Sequence, residues 1–161
     1  MKLTRVAVLG AGGFLGSHLV PALRQRFDCE IDAVDLDLSK LESGDPRVRR
    51  VQARVESAEL VEAVTERCQV IVSLTALCNP AQYSTIPLEV IDASFTHLLP
   101  LVKRCAERSV RLVHFSTAEV YGREALDAAG QPAERMSEDE SCFVLGPVAR
   151  ERWTYSCAKQ L

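Results

Sequence analysis

Three features of the sequence predict an α/β fold built on a doubly wound parallel sheet: recurring apolar runs of strand length, helix-like segments between most of them, and a glycine-rich turn joining the first run to the first helix. The runs are residues 6–9, 31–34, 48–51, 70–74 and 112–115. Each is short and rich in β-branched or other apolar side chains, as strands buried on both faces require. Between the first two, Leu15, Leu19, Ala22, Leu23 and Phe27 recur at three- and four-residue intervals, which predicts one apolar stripe along a helix. Ser57 is placed to N-cap a second helix whose Leu60, Val61 and Val64 face inward. Pro87 suits the first turn of a third helix running to about Arg108, which Pro100 should kink or split. The simplest strand order for such crossovers is 3-2-1-4-5, with ligands beyond the carboxyl ends of the strands. Residues 122–150 mix Gly, Pro, Ser and charge without periodicity and are expected to form a long loop or an active-site flap.

A chain of 161 residues has the length of one domain, and 47% hydrophobic with 25% charged residues is ordinary for a packed globular protein. A net charge of −3 supplies no basic field, which argues against nucleic acid or an anionic membrane as partner. Six cysteines without a close C-x-x-C pair suggest free thiols in a reducing cytosol rather than zinc or dithiol chemistry. His18, His97 and His114 share no metal-binding spacing, so no metal is expected. With neither a signal-peptide pattern at the N-terminus nor an apolar run of membrane-spanning length, a cytoplasmic protein is expected.

Gly10-Ala11-Gly12-Gly13-Phe14-Leu15-Gly16 lies where a dinucleotide pyrophosphate would meet backbone N–H groups and the positive end of a helix. Gly10 would serve the tight turn, Gly13 the close approach of backbone to phosphate, and Gly16 the packing of helix on strand. Asp35, at the end of the next run, fits the acid that accepts a ribose 2′-hydroxyl; this favours NAD, because a 2′-phosphate would meet an uncompensated negative charge.

Tyr155 and Lys159 stand at i and i+4, on one face of a helix. Bringing a phenol of pKa about 10 to neutrality takes about 4 kcal/mol of preferential phenolate stabilisation. An ammonium one turn away, aided by an oxidised nicotinamide, can supply much of it. Ser116 and Thr117 follow the fifth run, so Thr117 is a candidate to hydrogen-bond the reacting hydroxyl. Glu119 is, on spacing alone, more often a surface acid.

These motifs together resemble the extended short-chain dehydrogenase/reductases, a Rossmann-fold family whose pattern is G-x-x-G-F-x-G followed by Y-x-x-x-K; in that pattern Gly10, Gly13, Phe14 and Gly16 hold the cofactor, as does Lys159. Residues 74–83, the string Ser116-Thr117-Ala118-Glu119-Val120-Tyr121-Gly122 and the string Arg152-Trp153-Thr154-Tyr155-Ser156-Cys157-Ala158-Lys159-Gln160 look like UDP-apiose/UDP-xylose synthases. They are also similar to the decarboxylase domain of bifunctional polymyxin-resistance enzymes. The resemblance implies a UDP-sugar substrate, UDP-glucuronate first, oxidised at C4 by NAD and then decarboxylated, with ring contraction a further step. It assigns Tyr155 and Lys159 to acid/base work, Thr117 to orienting the substrate, Glu119 and Arg152 to decarboxylation, and Tyr83 to contact with the sugar nucleotide. Cys78, at the end of the fourth run, matches a cysteine implicated in ring contraction, whereas Ala118 stands where the plant-type synthases carry a second one. It also implies a homodimer for the full-length protein, and a substrate-binding lobe beyond residue 161. The alternatives are a nucleotide-sugar 4-epimerase or 4,6-dehydratase, sharing the C4 oxidation, and a catalytically silent nucleotide-binding module.

Overall fold

The computed structural model describes residues 2–41, 44–122, 124–126, 130–132, 135–139, 142–147, 150 and 152–161. Its strands are β1 (Arg5–Leu9), β2 (Glu30–Asp35), β3 (Val48–Gln52), β4 (Val70–Ser73), β5 (Arg111–His114), β6 (Glu124–Leu126) and β7 (Cys142–Val144). Its helices are α1 (Phe14–Arg26), α2 (Ala58–Arg67), α3 (Pro87–Ser94), α4 (Leu99–Arg108) and α5 (Trp153–Gln160). The chain divides into two compact units, residues 1–75 with 97–115 and residues 76–96 with 116–161.

The first unit is a five-stranded sheet in the order β3-β2-β1-β4-β5, and every pairing is parallel. Alternate residues leave opposite faces of a strand, and both faces are covered. Val6 and Val8 of β1 join Ile31 and Ala33 of β2 in one core, which Val20 of α1 completes. Ala7 and Leu9 turn the other way, onto Leu60, Val61 and Val64 of α2 and Leu101 and Cys105 of α4. Each fully buried Val or Leu here contributes roughly 1.5–3 kcal/mol. The Ser57 hydroxyl caps α2 as its sequence position predicts, accepting from the Leu60 N–H at 3.3 Å.

Two expectations are corrected and a third is met. The buried face of α1 is not the stripe through Leu15, Ala22 and Phe27, which are all exposed; Gly16 and Val20 are buried, with Leu19 and Leu23 beside them. The helix is turned this way because Gly16 seats against the Gly10–Ala11 backbone, where an added Cβ would lie 2.5 Å from the Ala11 Cα. The third helix is split as its proline predicts: α3 ends at Ser94, a 3-10 turn spans Thr96–Leu98, and α4 starts with Pro100 in its first turn, where no intrahelical N–H is needed. Finally, the stretch expected to be a loop carries β6 and β7, paired antiparallel with Ala125 opposite Phe143. Strands of three residues are too short to declare a period. Residues 123, 127–129, 133–134, 140–141 and 148–149 of that stretch lie outside the described ones.

A carboxylate sits in the middle of β2. Asp32 is 1% exposed, and Arg49, its register partner on β3, donates to both carboxylate oxygens at 2.9 Å. The Cys68 thiol lies 3.8 Å from the same carboxylate, and burial, with that charge beside it, pushes its pKa up to about 12. We expect Arg49→Met to cost about 3 kcal/mol in urea unfolding, because it leaves a buried charge with only Arg5, 3.8 Å away. Asp32→Leu combined with Arg49→Met should recover much of that loss, since no buried charge then remains. A double variant as unstable as the single one would show that the pair's packing, not its charge, is what counts.

Candidate active site

The first unit forms a tight glycine turn, a cradle of backbone, after β1. The chain leaves β1 through Gly10, whose φ of +84° is strained for any side chain, and the Gly10 and Ala11 N–H groups both donate to the Val34 carbonyl at the end of β2, at 2.9 and 3.0 Å. The Gly12 N–H donates to Asp35 Oδ2 at 2.9 Å, and the Asp37 N–H to Asp35 Oδ1 at 3.2 Å. A carboxylate offers about four lone-pair sites, so two remain for ribose hydroxyls. Gly13 is the N-cap of α1 and has no side chain to occupy the first N–H groups of the helix. An added Cβ there would meet nothing closer than the Gly10 carbonyl oxygen, at 3.4 Å, so the backbone stands open to a ligand on that side. Phe14, the first residue of α1, is 75% exposed. The open backbone at Gly13, the start of α1 and the lone-pair sites left on Asp35 are of the chemistry that a dinucleotide's pyrophosphate and ribose require.

Gly12 is the residue that sequence reasoning passes over. An added Cβ would collide with the Asp37 carbonyl, whose carbon would be 2.8 Å away. In the fingerprint it occupies a position open to any residue, so only the path of the chain after β2 reveals the constraint.

The second unit gathers the proton-transfer candidates. Tyr155 and Lys159 lie on the buried face of α5, at 4% and 9% exposure. Arg152, the N-cap of α5, points a half-exposed guanidinium towards Glu119, with 3.8 Å between Nη2 and Oε2. That oxygen is buried and makes no hydrogen bond. The same guanidinium lies 5.7 Å from the Trp153 ring centroid, and the Trp153 ring packs so tightly against Gly146 that an added Cβ would be 2.5 Å from it. Thr117 caps the 3-10 turn Ala118–Tyr121, its hydroxyl accepting from the Glu119 N–H at 3.3 Å, and so fixes where Glu119 begins.

Cys78 lies in the segment after β4 rather than at the strand's end, which is Ser73, and its sulfur is 3.2 Å from the Tyr155 hydroxyl. The Tyr83 ring is 2% exposed and stacks on that of Tyr155, with centroids 4.9 Å apart and planes at 17°. Burial, more than any other influence, raises the Tyr155 phenol above its ordinary value, and the hydrogen bond with Cys78 adds to this. Burial also lowers the Lys159 ammonium. The lowering expected of Tyr155 from its i+4 ammonium is not seen, and the shift is upward, since burial favours the neutral form of each group. Among the described residues no cluster suits a metal ion, and no helix is long and apolar enough to cross a membrane.

The model of the NAD dependent epimerase/dehydratase family matches residues 6–161. A UDP-D-apiose/UDP-D-xylose synthase of Oryza sativa subsp. japonica is 36% identical over 97% of the chain and 43% of its own length. Among solved structures, the PbgP3 protein from Burkholderia pseudomallei superposes with a TM-score of 0.86 at 33% identity, over 99% of this chain and 46% of that one. MoeE5, solved with UDP-glucuronic acid and NAD, gives 0.72 at 26% identity, over 97% of this chain and 46% of that one. The chain thus spans less than half the length of these relatives.

Gly12 and Gly13, adjacent in sequence, should fail differently. Gly13→Ala is expected to unfold in urea at nearly the unmodified concentration and yet to lose cofactor affinity, because its methyl group fills the open side of the cradle. Gly12→Ala should lose about 1–3 kcal/mol of stability before any ligand is added, as an overpacked site does. Urea melts and calorimetric titration with NAD+ separate the two; equal stability for both variants would refute the assignment of Gly12 as a packing position.

Proposed function

The chain belongs to the NAD dependent epimerase/dehydratase family, and from that membership we propose that its enzyme oxidises UDP-glucuronate at C4 and then decarboxylates it. The observation that carries the reading is the pairing of Glu119 and Arg152 in the unit that holds Tyr155 and Lys159. The Arg152 guanidinium is half exposed and stands 3.8 Å from the Glu119 carboxylate, beyond hydrogen-bond distance, so its donors can turn to a substrate carboxylate. A neutral hexose offers that guanidinium no charge to pair with. The likeness to UDP-D-apiose/UDP-D-xylose synthases and to MoeE5, solved with NAD and either UDP-glucose or UDP-glucuronic acid, supports a UDP-sugar substrate.

The chemistry assigned to this chain's residues is proton handling and charge placement. When bound, NAD takes the C4 hydride and can return it. Tyr155 accepts the C4 hydroxyl proton, which requires its raised phenol to be brought down by positive charge, from Lys159 and from the oxidised nicotinamide. Thr117 orients that hydroxyl. The resulting 4-ketone is β to the carboxylate on C5, so when the C5–C6 bond breaks and CO2 leaves, the electron pair passes into the C4 carbonyl as an enolate. Arg152 holds the departing carboxylate, and Glu119 governs the proton that C5 must regain. Cys78, in hydrogen-bond contact with the Tyr155 hydroxyl, stands where a thiol can take part in the rearrangement that yields a branched pentose.

With the full-length enzyme and NAD+, UDP-glucuronate should release CO2, and Tyr155→Phe should abolish that release. Release of no CO2 alongside interconversion of UDP-hexoses would replace this reading with a 4-epimerase. Cys78→Ser is expected to suppress any branched product while leaving decarboxylation largely intact, a ratio read by chromatography of the UDP-pentoses. An unchanged ratio would return Cys78 to packing.

NAD+ should bind more tightly than NADP+ in calorimetry, because Asp35, already accepting two N–H groups, cannot face a 2′-phosphate. Preference for NADP+ would remove Asp35 from the ribose.

A further inference from the structure

The segment 79–83 is built to deliver one ring. Asn79 caps it, its side-chain oxygen accepting from the Ala81 N–H at 3.1 Å, and Pro80 fixes φ at the first position of the 3-10 turn Pro80–Gln82. The Tyr83 N–H closes the turn on the Pro80 carbonyl at 3.2 Å. What emerges is a side chain 2% exposed, lying flat against Tyr155 and backed by Val90 of α3, which is 0% exposed. Ala76 and Leu77 pack on the same cluster.

We propose that Tyr83 is a positioning residue: its ring is the platform that holds the Tyr155 ring in place, so that the Tyr155 hydroxyl stays at its contact with Cys78. The proposal rests on the reading of Tyr155 as the proton-transfer group. A phenol hydroxyl lies on the axis about which its ring turns, so rotation of the ring does not displace it, whereas a swing of the whole side chain does. A second ring stacked against the first blocks that swing on one side, and α5, carrying Tyr155 on its buried face, blocks it at the root. Displacements of about 1 Å at such a group cost on the order of 100-fold in rate. The working part of Tyr83 is therefore its ring. Its own phenol, pushed up to about 12 by burial and then by the Glu119 charge, stays protonated at neutral pH and does not compete as a base.

This reading separates from a direct sugar contact, which would depend on the Tyr83 hydroxyl. The chain has three tyrosines, Tyr83, Tyr121 and Tyr155. Combining Tyr121→Phe with Tyr83→Phe therefore leaves Tyr155 as the one phenol, with a ring still beside it. Tyr121→Phe with Tyr83→Met removes the flat face that covers the Tyr155 ring and lets that ring swing towards water, and Tyr121→Phe with Tyr83→Leu is a second such variant should the first melt. Titration of the phenolate absorbance in the chain should place Tyr155 above the ordinary phenol value in the Phe variant. In the Met or Leu variant it should fall back towards that value. In the full-length enzyme, Tyr83→Phe should keep kcat within about threefold, and Tyr83→Met should lower kcat about tenfold with little change in KM. Equal losses for Phe and Met, or a loss confined to KM, would overturn the proposal in favour of a substrate contact. An unchanged titration in the Met and Leu variants would overturn it as well. If the enzyme proves inactive on UDP-glucuronate, the titration still decides whether Tyr83 shields Tyr155, and failure of that reading is seen separately.

Discussion

Two stretches of backbone meet at Gly12 with no room for one carbon atom between them, and the phosphate turn takes its shape from that contact. The Asp37 carbonyl occupies the place of a side chain, Asp35 takes the Gly12 N–H, and the Val34 carbonyl takes the N–H groups of Gly10 and Ala11. The end of β2 thus locks the turn that follows β1 before any ligand is present. Gly16 extends the same principle to α1, whose rotation is set by where its backbone touches Gly10 and Ala11 and not by where its apolar residues are most numerous. The N–H groups of Gly10, Ala11 and Gly12 are spent in holding the turn, so the donors it presents are those of the first turn of α1, which no side chain caps and which need no reorganisation to meet an anion.

In the second unit the governing influence is desolvation. Tyr155 and Lys159 are both drawn towards their neutral forms, so the pair as it stands is a reluctant base beside a weakened cation. Such a site responds strongly to added charge, since in a low dielectric each positive group nearby counts for more than it would in water.

Much of the first unit was legible in the sequence because its strands are apolar runs of ordinary length and its turn is a run of glycines. The strand order, the Ser57 cap and the break before Pro100 follow from local chemistry. Tertiary contacts were not legible: the face of α1 depends on Gly16, and the role of Gly12 depends on Asp37, distant in sequence. The β6–β7 pair hides in a composition that reads as loop. At the candidate site, the Tyr155–Lys159 spacing and the position of Asp35 could be read directly, whereas the stacking of Tyr83 and the approach of Arg152 to Glu119 are matters of geometry. Asp32 carried no signal at all, since a lone acid in an apolar run has no motif.

That buried acid has a consequence for how the protein keeps to itself. β3 is an edge strand, and a parallel edge with open N–H and C=O groups is a template for other chains. Here the edge carries Arg49 and Arg50 side by side, both exposed; Arg49 is tied to Asp32, and Arg50 donates to the Leu38 carbonyl. A foreign strand laid along β3 would have to strip water from two guanidinium groups. A shift of β3 by one residue would separate Arg49 from a carboxylate that has almost no access to solvent. The same pair therefore fixes the register of the native strand and discourages adhesion of a second one, so solubility at this edge is written into the pairing that closes the core.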